Sequence, residues 1–270
     1  MVKKIAALSY VWLVLLLMYL PIFLLIIFSF IDTRVVGVIG DNDTFTFDLY
    51  RRLFLNERAM TAVFNTFLVA IVSSILSTIL GTLGAIGVFY MKRRAKGIFE
   101  TFTQIPVINA EIVMALSLAV LFVFFGINVG FGTLVLGHIV LTVAFVYLSV
   151  KPKLQQMDPS MYEAALDLGA TPMKALTRVI FPEILPGVIA GFVLAFTLSL
   201  DDFLITSFLR PASGFETLST YVEAQLRVGI PREIRALTTL IFLFAVAILI
   251  INVMLSGKGD KKSLAALSHR

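Results

Sequence analysis

DPSMYEAALDLGATPMKALTRVIFP, residues 158–182, decides how this chain is read. Asp158 before Pro159, or Ser160 with Glu163 three residues on, can cap a helix start, and Gly169 supplies its stop. Thr171 and Pro172 restart a second short helix, expected to run to the next proline, Pro182. In the first helix Met161, Ala164, Ala165 and Leu168 fall at i, i+3, i+4 and i+7, one apolar stripe, with Glu163 and Asp167 on another face. In the second, Ala175, Leu176, Val179 and Ile180 form the apolar side, and Lys174 and Arg178 a basic one. Two alanines on the stripe let a partner approach closely, and the charges around them fix its orientation.

The surroundings of this element are a membrane protein's. Of 270 residues, 59% are hydrophobic and 14% charged, and mean hydropathy is +0.98; a soluble domain of this length carries more charge. Cysteine is absent, so disulfides, thiolate metal sites and thiol catalysis are excluded. The net charge of +5 does not point to nucleic acid, because the basic residues lie scattered in loops between apolar runs.

Apolar runs at about 8–30, 62–90, 105–125, 131–150, 184–200 and 236–255 are each taken as crossing the ~30 Å hydrocarbon core. The first is too long for a signal-peptide core and is expected to stay as a helix kinked near Pro21. Gly81, Gly84 and Gly87 in the second suit close helix packing. The whole chain 1–270 is thus expected to be one all-α, polytopic transmembrane domain of six spans, with the 158–182 element between spans 4 and 5. Six spans put both termini on one face. Lys3, Lys4, the basic loop Lys92–Lys96, Lys151, Lys153, Lys174, Arg178 and the tail residues Lys258, Lys261, Lys262 and Arg270 share it, 14 of the 22 Lys and Arg against 8 opposite. That excess places the termini and the helical pair in the cytoplasm.

Three carboxylates stand in apolar surroundings. Glu111, within INAEIVMALSLAVLF, is costly near the bilayer centre unless it faces the bundle interior or water; the alternative is that it lies near a helix end, solvated or bonded to a neighbouring span. Asp201 and Asp202, within LAFTLSLDDFLITSFL, repel each other and lose hydration, penalties that a bound cation relieves; the alternative is an interfacial pair that caps a helix or simply stays in water. Adjacent helical residues point about 100° apart, so one of the two faces a given pathway. His138 is a bundle hydrogen-bond partner or a proton relay, and nothing in the sequence pairs it with another titratable group. No phosphate-binding GxxxxGK[ST] loop is present, so energy from ATP has to come from another subunit. No catalytic residue, metal site or cofactor is expected; the chain is not read as an enzyme.

Glu163-Ala164-Ala165, Gly169 six residues after the glutamate, and the apolar-X-apolar-Pro ending at Val179, Phe181 and Pro182 resemble the EAA loop of ABC importer permeases, with Val179 and Phe181 where the family usually has isoleucine and leucine. The longer run to LSLDDFLITSFL, with the basic loop, the YLPIFLLIIFSF pattern and Glu111, is similar to the C-type permease subunits of spermidine/putrescine importers. The resemblance implies an ATP-driven importer in the cell membrane that moves polyamines. It implies a heterodimer with a second, homologous permease, two copies of a cytoplasmic ATP-binding subunit and an extracytoplasmic polyamine-binding protein. Glu163, Ala164, Ala165, Asp167, Gly169, Lys174, Arg178 and Pro182 would then couple the chain to the ATPase, and Glu111, Asp201 and Asp202 would line the substrate pathway. Another solute remains open, though the acidic residues argue against an anion; from a different class, so does a stand-alone secondary transporter with His138 and Glu111 as a proton relay.

Overall fold

The computed structural model describes residues 2–33, 40, 44–158, 160–211, 214–228, 231–247 and 250. Expectations on Pro159, on the end of the sixth span and on the basic residues of the tail lie outside them. The helices are α1 (Val2–Phe28), α2 (Asp48–Leu55), α3 (Glu57–Phe89), α4 (Arg93–Ile108), α5 (Glu111–Phe124), α6 (Phe131–Gln156), α7 (Ser160–Asp167), α8 (Pro172–Ala175), α9 (Phe181–Asp201), α10 (Leu204–Leu209), α11 (Leu218–Val228) and α12, residues 233–247. Among the described residues the β-structure is a single bridge, Ile31 to Phe45.

The chain forms two compact units, Met1–Met60 with Ala224–Arg270, and Thr61–Glu223. In the first, α1 leaves its apolar side chains open: 6% of its span is buried, as suits a helix whose solvent is lipid. After α1, Phe30 stacks on Phe45 at 5.6 Å and meets Phe47 edge-on at 5.4 Å. Ser29 Oγ and Tyr50 Oη share a hydrogen bond of 2.7 Å. Asp32 accepts from Arg232 at 2.5 Å, and Thr33 Oγ1 accepts from Arg235 at 3.1 Å, so the residues after α1 are pinned by the start of α12.

The second unit is held by α6 and α9. Val146, Val150 and Leu154 pack with Ile180, Ile184, Val188 and Ala195 in one buried cluster, and Met114, Ala115 and Phe122 of α5 pack with Leu134, Ile205 and Leu209 in another. Glycines set the separations. A Cβ on Gly187 would lie 2.9 Å from the Ser149 carbonyl oxygen, one on Gly191 3.1 Å from Val146, and one on Gly137 2.6 Å from Ile205 and Leu209. Of the three glycines singled out in the second span, Gly81 is approached this way, by Val146 at 2.7 Å, while Gly84 and Gly87 have nothing within 4 Å.

The apolar pattern is followed with three departures. Among the described residues four helices are long and apolar enough to cross a membrane, and a fifth candidate is α4 with α5. First, the expected span 105–125 is broken: α4 and α5 meet at 105° across Asn109 and Ala110. Pro106 carries no N–H, and α5 restarts with Glu111 in its first turn, where a carboxylate suits the helix dipole. Second, the basic residues from Arg93 form the first turn of α4. Third, Pro182 does not end the second helix of the 158–182 element. Residues Leu176–Ile180 form a π turn in which Phe181 N–H donates to the Leu176 carbonyl. Helix therefore runs unbroken over 30 residues, Pro172–Asp201, about 45 Å at 1.5 Å per residue. The wide turn reaches the proline in a register where its missing N–H is absorbed.

Gly187→Val should destabilise the protein by about 1–3 kcal/mol through forced separation of α6 and α9, read as a lower thermal unfolding midpoint in detergent. Gly84→Ala, made in open space, should leave that midpoint unchanged.

Candidate functional site

The 158–182 element forms as its capping residues dictate. Asp158 Oδ1 accepts from Ser160 N–H at 2.9 Å, and this hydrogen bond holds the carboxyl below its usual range. The cap is thus fully formed at neutral pH and lost as the pH falls through that lowered value. At the other end Gly169 has φ +84°. Ala170 N–H donates to the Ala165 carbonyl at 3.0 Å and Gly169 N–H to that of Leu166 at 2.8 Å, the paired bonds of a glycine-terminated helix. Thr171 Oγ1 then accepts from Lys174 N–H, with Pro172 at the first helical position.

The two apolar faces have different fates. On the second helix Ala175 and Ile180 are fully buried against the chain's own core. On α7, Met161, Ala164 and Leu168 are exposed, Leu168 to 89%, and Met173 beside them is exposed as well. Glu163, Asp167, Lys174 and Arg178 are all exposed around this patch. Ala165 is half-buried, so the four-residue stripe read from the sequence is split between the interior and the open surface.

The acidic residues come together at the other end of the 45 Å helix. Glu111 at the start of α5, and Asp201 and Asp202 at the end of α9, line one cleft of about 280 Å³ with Asn109, Thr197 and Phe145. They occupy different environments. Asp201 is exposed and Glu111 half-buried, whereas Asp202 is 4% exposed. The chain turns extended at Asp202, which folds its carboxylate back over the start of α10. There Oδ1 accepts from Ile205 N–H at 3.1 Å, and Oδ2 from Thr206 N–H and Thr206 Oγ1, both at 2.8 Å. Asp202 thus caps a helix, as the capping alternative has it, while Asp201 is exposed at the cleft.

The sequence did not show the partner of His138. It is buried, with Nε2 3.4 Å from Asp202 Oδ2. Its Nδ1 lies 2.7 Å from Ser199 Oγ and its Nε2 3.1 Å from Thr206 Oγ1. Ser199 Oγ in turn meets Ser73 Oγ at 2.9 Å. The separations of 61 and 68 residues have no local signature; serine at 73 and 199 at helical spacing within apolar runs was the available hint.

Residues 77–257 match the family described as binding-protein-dependent transport system inner membrane component. The chain is 32% identical over 243 residues to the spermidine/putrescine transport system permease protein PotC of Haemophilus influenzae, covering 90% of this chain and 93% of that one. It is 33% identical over 245 residues to PotC of Escherichia coli, covering 90% and 91%. It is 34% identical over 231 residues to the putrescine transport system permease protein PotI of Escherichia coli, covering 83% and 81%. Among solved structures, a chain of a bacterial ABC transporter involved in the import of the acidic polysaccharide alginate superposes with a TM-score of 0.73 at 17% identity, over 95% of this chain and 96% of that chain.

Removing the Asp202 carboxylate leaves two buried amides and the buried Thr206 hydroxyl without their acceptor. Asp202→Ala should cost about 1–3 kcal/mol, and Asp201→Asn, at an exposed position, nothing measurable; thermal unfolding of the two variants side by side checks the contrast.

Proposed function

The chain belongs to the family of binding-protein-dependent transport system inner membrane components, as the permease subunit of an ABC importer, and we propose that it carries polyamines, spermidine or putrescine, into the cytoplasm by alternating access. The observation that carries the substrate is the cleft in which Glu111, Asp201 and Asp202 converge. An ammonium about 4 Å from a carboxylate gains roughly 4 kcal/mol at an effective dielectric near 20, before desolvation is subtracted. Two reachable carboxylates, Glu111 and Asp201, suit a chain with more than one amine, which is held firmly enough to leave its binding protein and weakly enough to be released. The relatives at 32–34% identity, permease proteins of spermidine/putrescine and putrescine transport systems, support the same substrates.

The exposed patch of Met161, Ala164, Leu168 and Met173, ringed by Glu163, Asp167, Lys174 and Arg178, is the surface offered to a cytoplasmic ATP-binding subunit. Two copies of that subunit, one under this chain and one under a homologous second permease, close on ATP and move the patch. Because helix is continuous from Pro172 through Pro182 to Asp201, that motion reaches the cleft without a hinge between. An extracytoplasmic binding protein delivers the polyamine to the other face. Six spans would put both termini and the 158–182 element in the cytoplasm.

The test is ATP-driven uptake of labelled spermidine and putrescine in vesicles carrying this chain with its partner subunits. Uptake should vanish when this chain is omitted and fall at least about tenfold in the double variant Glu111→Gln, Asp201→Asn, with assembly and ATPase activity retained; full uptake by the double variant refutes the cleft as the pathway. Active ATPase with no polyamine uptake keeps the permease and discards the substrate. Gly169→Ala, strained at φ +84° by about 1–3 kcal/mol, and Glu163→Ala should separate ATP hydrolysis from uptake while the chain stays in the membrane.

A further inference from the structure

The hydroxyls around His138 form a string whose protons can be counted. Ser73 Oγ donates to the Val69 carbonyl at 2.7 Å, so the 2.9 Å contact between Ser73 and Ser199 uses the proton of Ser199. The 2.7 Å contact between Ser199 and Nδ1 then needs a proton on Nδ1. On the other side Thr206 Oγ1 donates to Asp202 Oδ2 at 2.8 Å, so its 3.1 Å contact with Nε2 needs a proton there too. Five contacts require five protons, and the three hydroxyls supply three. A neutral imidazole beside an ionised carboxylate brings one more and leaves one contact with two lone pairs facing each other in a buried site, an arrangement that costs free energy. The count closes when the pair His138–Asp202 carries one additional proton. That proton sits on the imidazole, or on the carboxyl with Thr206 turned toward Nε2; the string is complete either way.

We propose that His138 is the positioning residue of the acidic cleft: through Thr206 it holds one titratable proton jointly with Asp202, and so fixes where that carboxylate points and what charge it shows to Glu111 and Asp201. The inference rests on the cation-importer reading for its consequence in transport, and on geometry alone for the proton. The titratable groups that face the string are Asp202 and Asp201 from the end of α9 and Glu111 from the start of α5; α3 and α10 present the hydroxyls of Ser73 and Thr206. With the proton bound, His138 and Asp202 together are neutral and the cleft shows the charges of Glu111 and Asp201. With it lost, a third negative charge stands beside them and Ser199 is free to reorient. A polycation in the cleft favours the second state, so substrate binding and proton binding are linked, and each opposes the other to the same extent.

The string also ties α3, α6, α9 and α10 together at the level of the cleft. Ser73 belongs to α3, His138 to α6, Ser199 to α9 and Thr206 to α10. The hydrogen bonds that orient Asp202 therefore also register the end of the 45 Å helix against its neighbours.

The test compares His138→Gln and His138→Leu with the parent chain in the fully assembled complex. Gln keeps a donor toward Thr206 but does not titrate. The KM for putrescine uptake should depend on pH in the parent, falling as the proton is lost. In His138→Gln that pH step should disappear while kcat is retained, and in His138→Leu KM should rise several-fold. A pH step in His138→Gln equal to the parent's, or a parental KM in His138→Leu, overturns the proposal. The unfolding midpoint of the complex read over the same pH series needs no substrate. The string is complete only when protonated, so the parent's midpoint should drop as the pH rises through the titration, and the drop should be absent from His138→Gln. Matching midpoint curves, or a drop that survives His138→Gln and is lost in Glu111→Gln, overturn the proposal. A midpoint result as expected, with no polyamine uptake by the parent, overturns the substrate reading alone.

Discussion

The helix that runs without a break from Pro172 to Asp201 is the constraint on which the rest of the second unit depends. A helix is stiff because each added residue shares the ladder of its neighbours, and a proline removes one rung. Here the wide turn at Leu176–Ile180 takes the place of that rung, so a surface patch at one end and an acidic cleft at the other belong to a single rod. Gly187 and Gly191 then let this rod lie against α6 at backbone distance, which fixes its path through the bundle. A transporter needs its two ends to move together, and an uninterrupted helix meets that need with the fewest parts.

The break between α4 and α5 is the counterpart of that continuity. A straight span through 105–125 would carry Glu111 within a helix interior, its carboxylate facing whatever lay alongside. The 105° turn at Asn109 and Ala110 instead makes Glu111 the first residue of a helix, where the unpaired amides of the first turn favour negative charge and where the cleft supplies water. Charge in a membrane protein is tolerable where the backbone is irregular and lines a cavity. Both acidic positions obey this: Glu111 follows one break, and Asp201 and Asp202 straddle another, between α9 and α10.

Asp201 and Asp202 show how adjacent identical residues acquire different work. The helix ends between them, so one side chain remains on the outer surface of α9 while the next is carried inward with the extended backbone. Inside, three hydrogen bonds and the neighbouring imidazole offset the lost hydration of Asp202. Burial without those partners would cost several kcal/mol, and their presence is what allows a carboxylate to lie 4% exposed in an apolar bundle.

The sequence by itself determined that this is an all-α membrane chain with a capped, glycine-turned helical pair after its fourth apolar run. Hydropathy and capping are local: each depends on residues within a few turns, and Asp158, Gly169 and Thr171 perform in the structure what their side chains allow anywhere. It also marked Glu111, Asp201 and Asp202, since charge is conspicuous in apolar surroundings. Only the tertiary structure decided that Pro182 lies inside a helix, that Glu111 opens one, that Asp202 is buried while Asp201 is open, and that His138 is bound to residues more than 60 positions away. Those outcomes turn on how helices distant in sequence approach one another, and close approach is set by the shapes of both surfaces, which the periodicity of one segment does not contain.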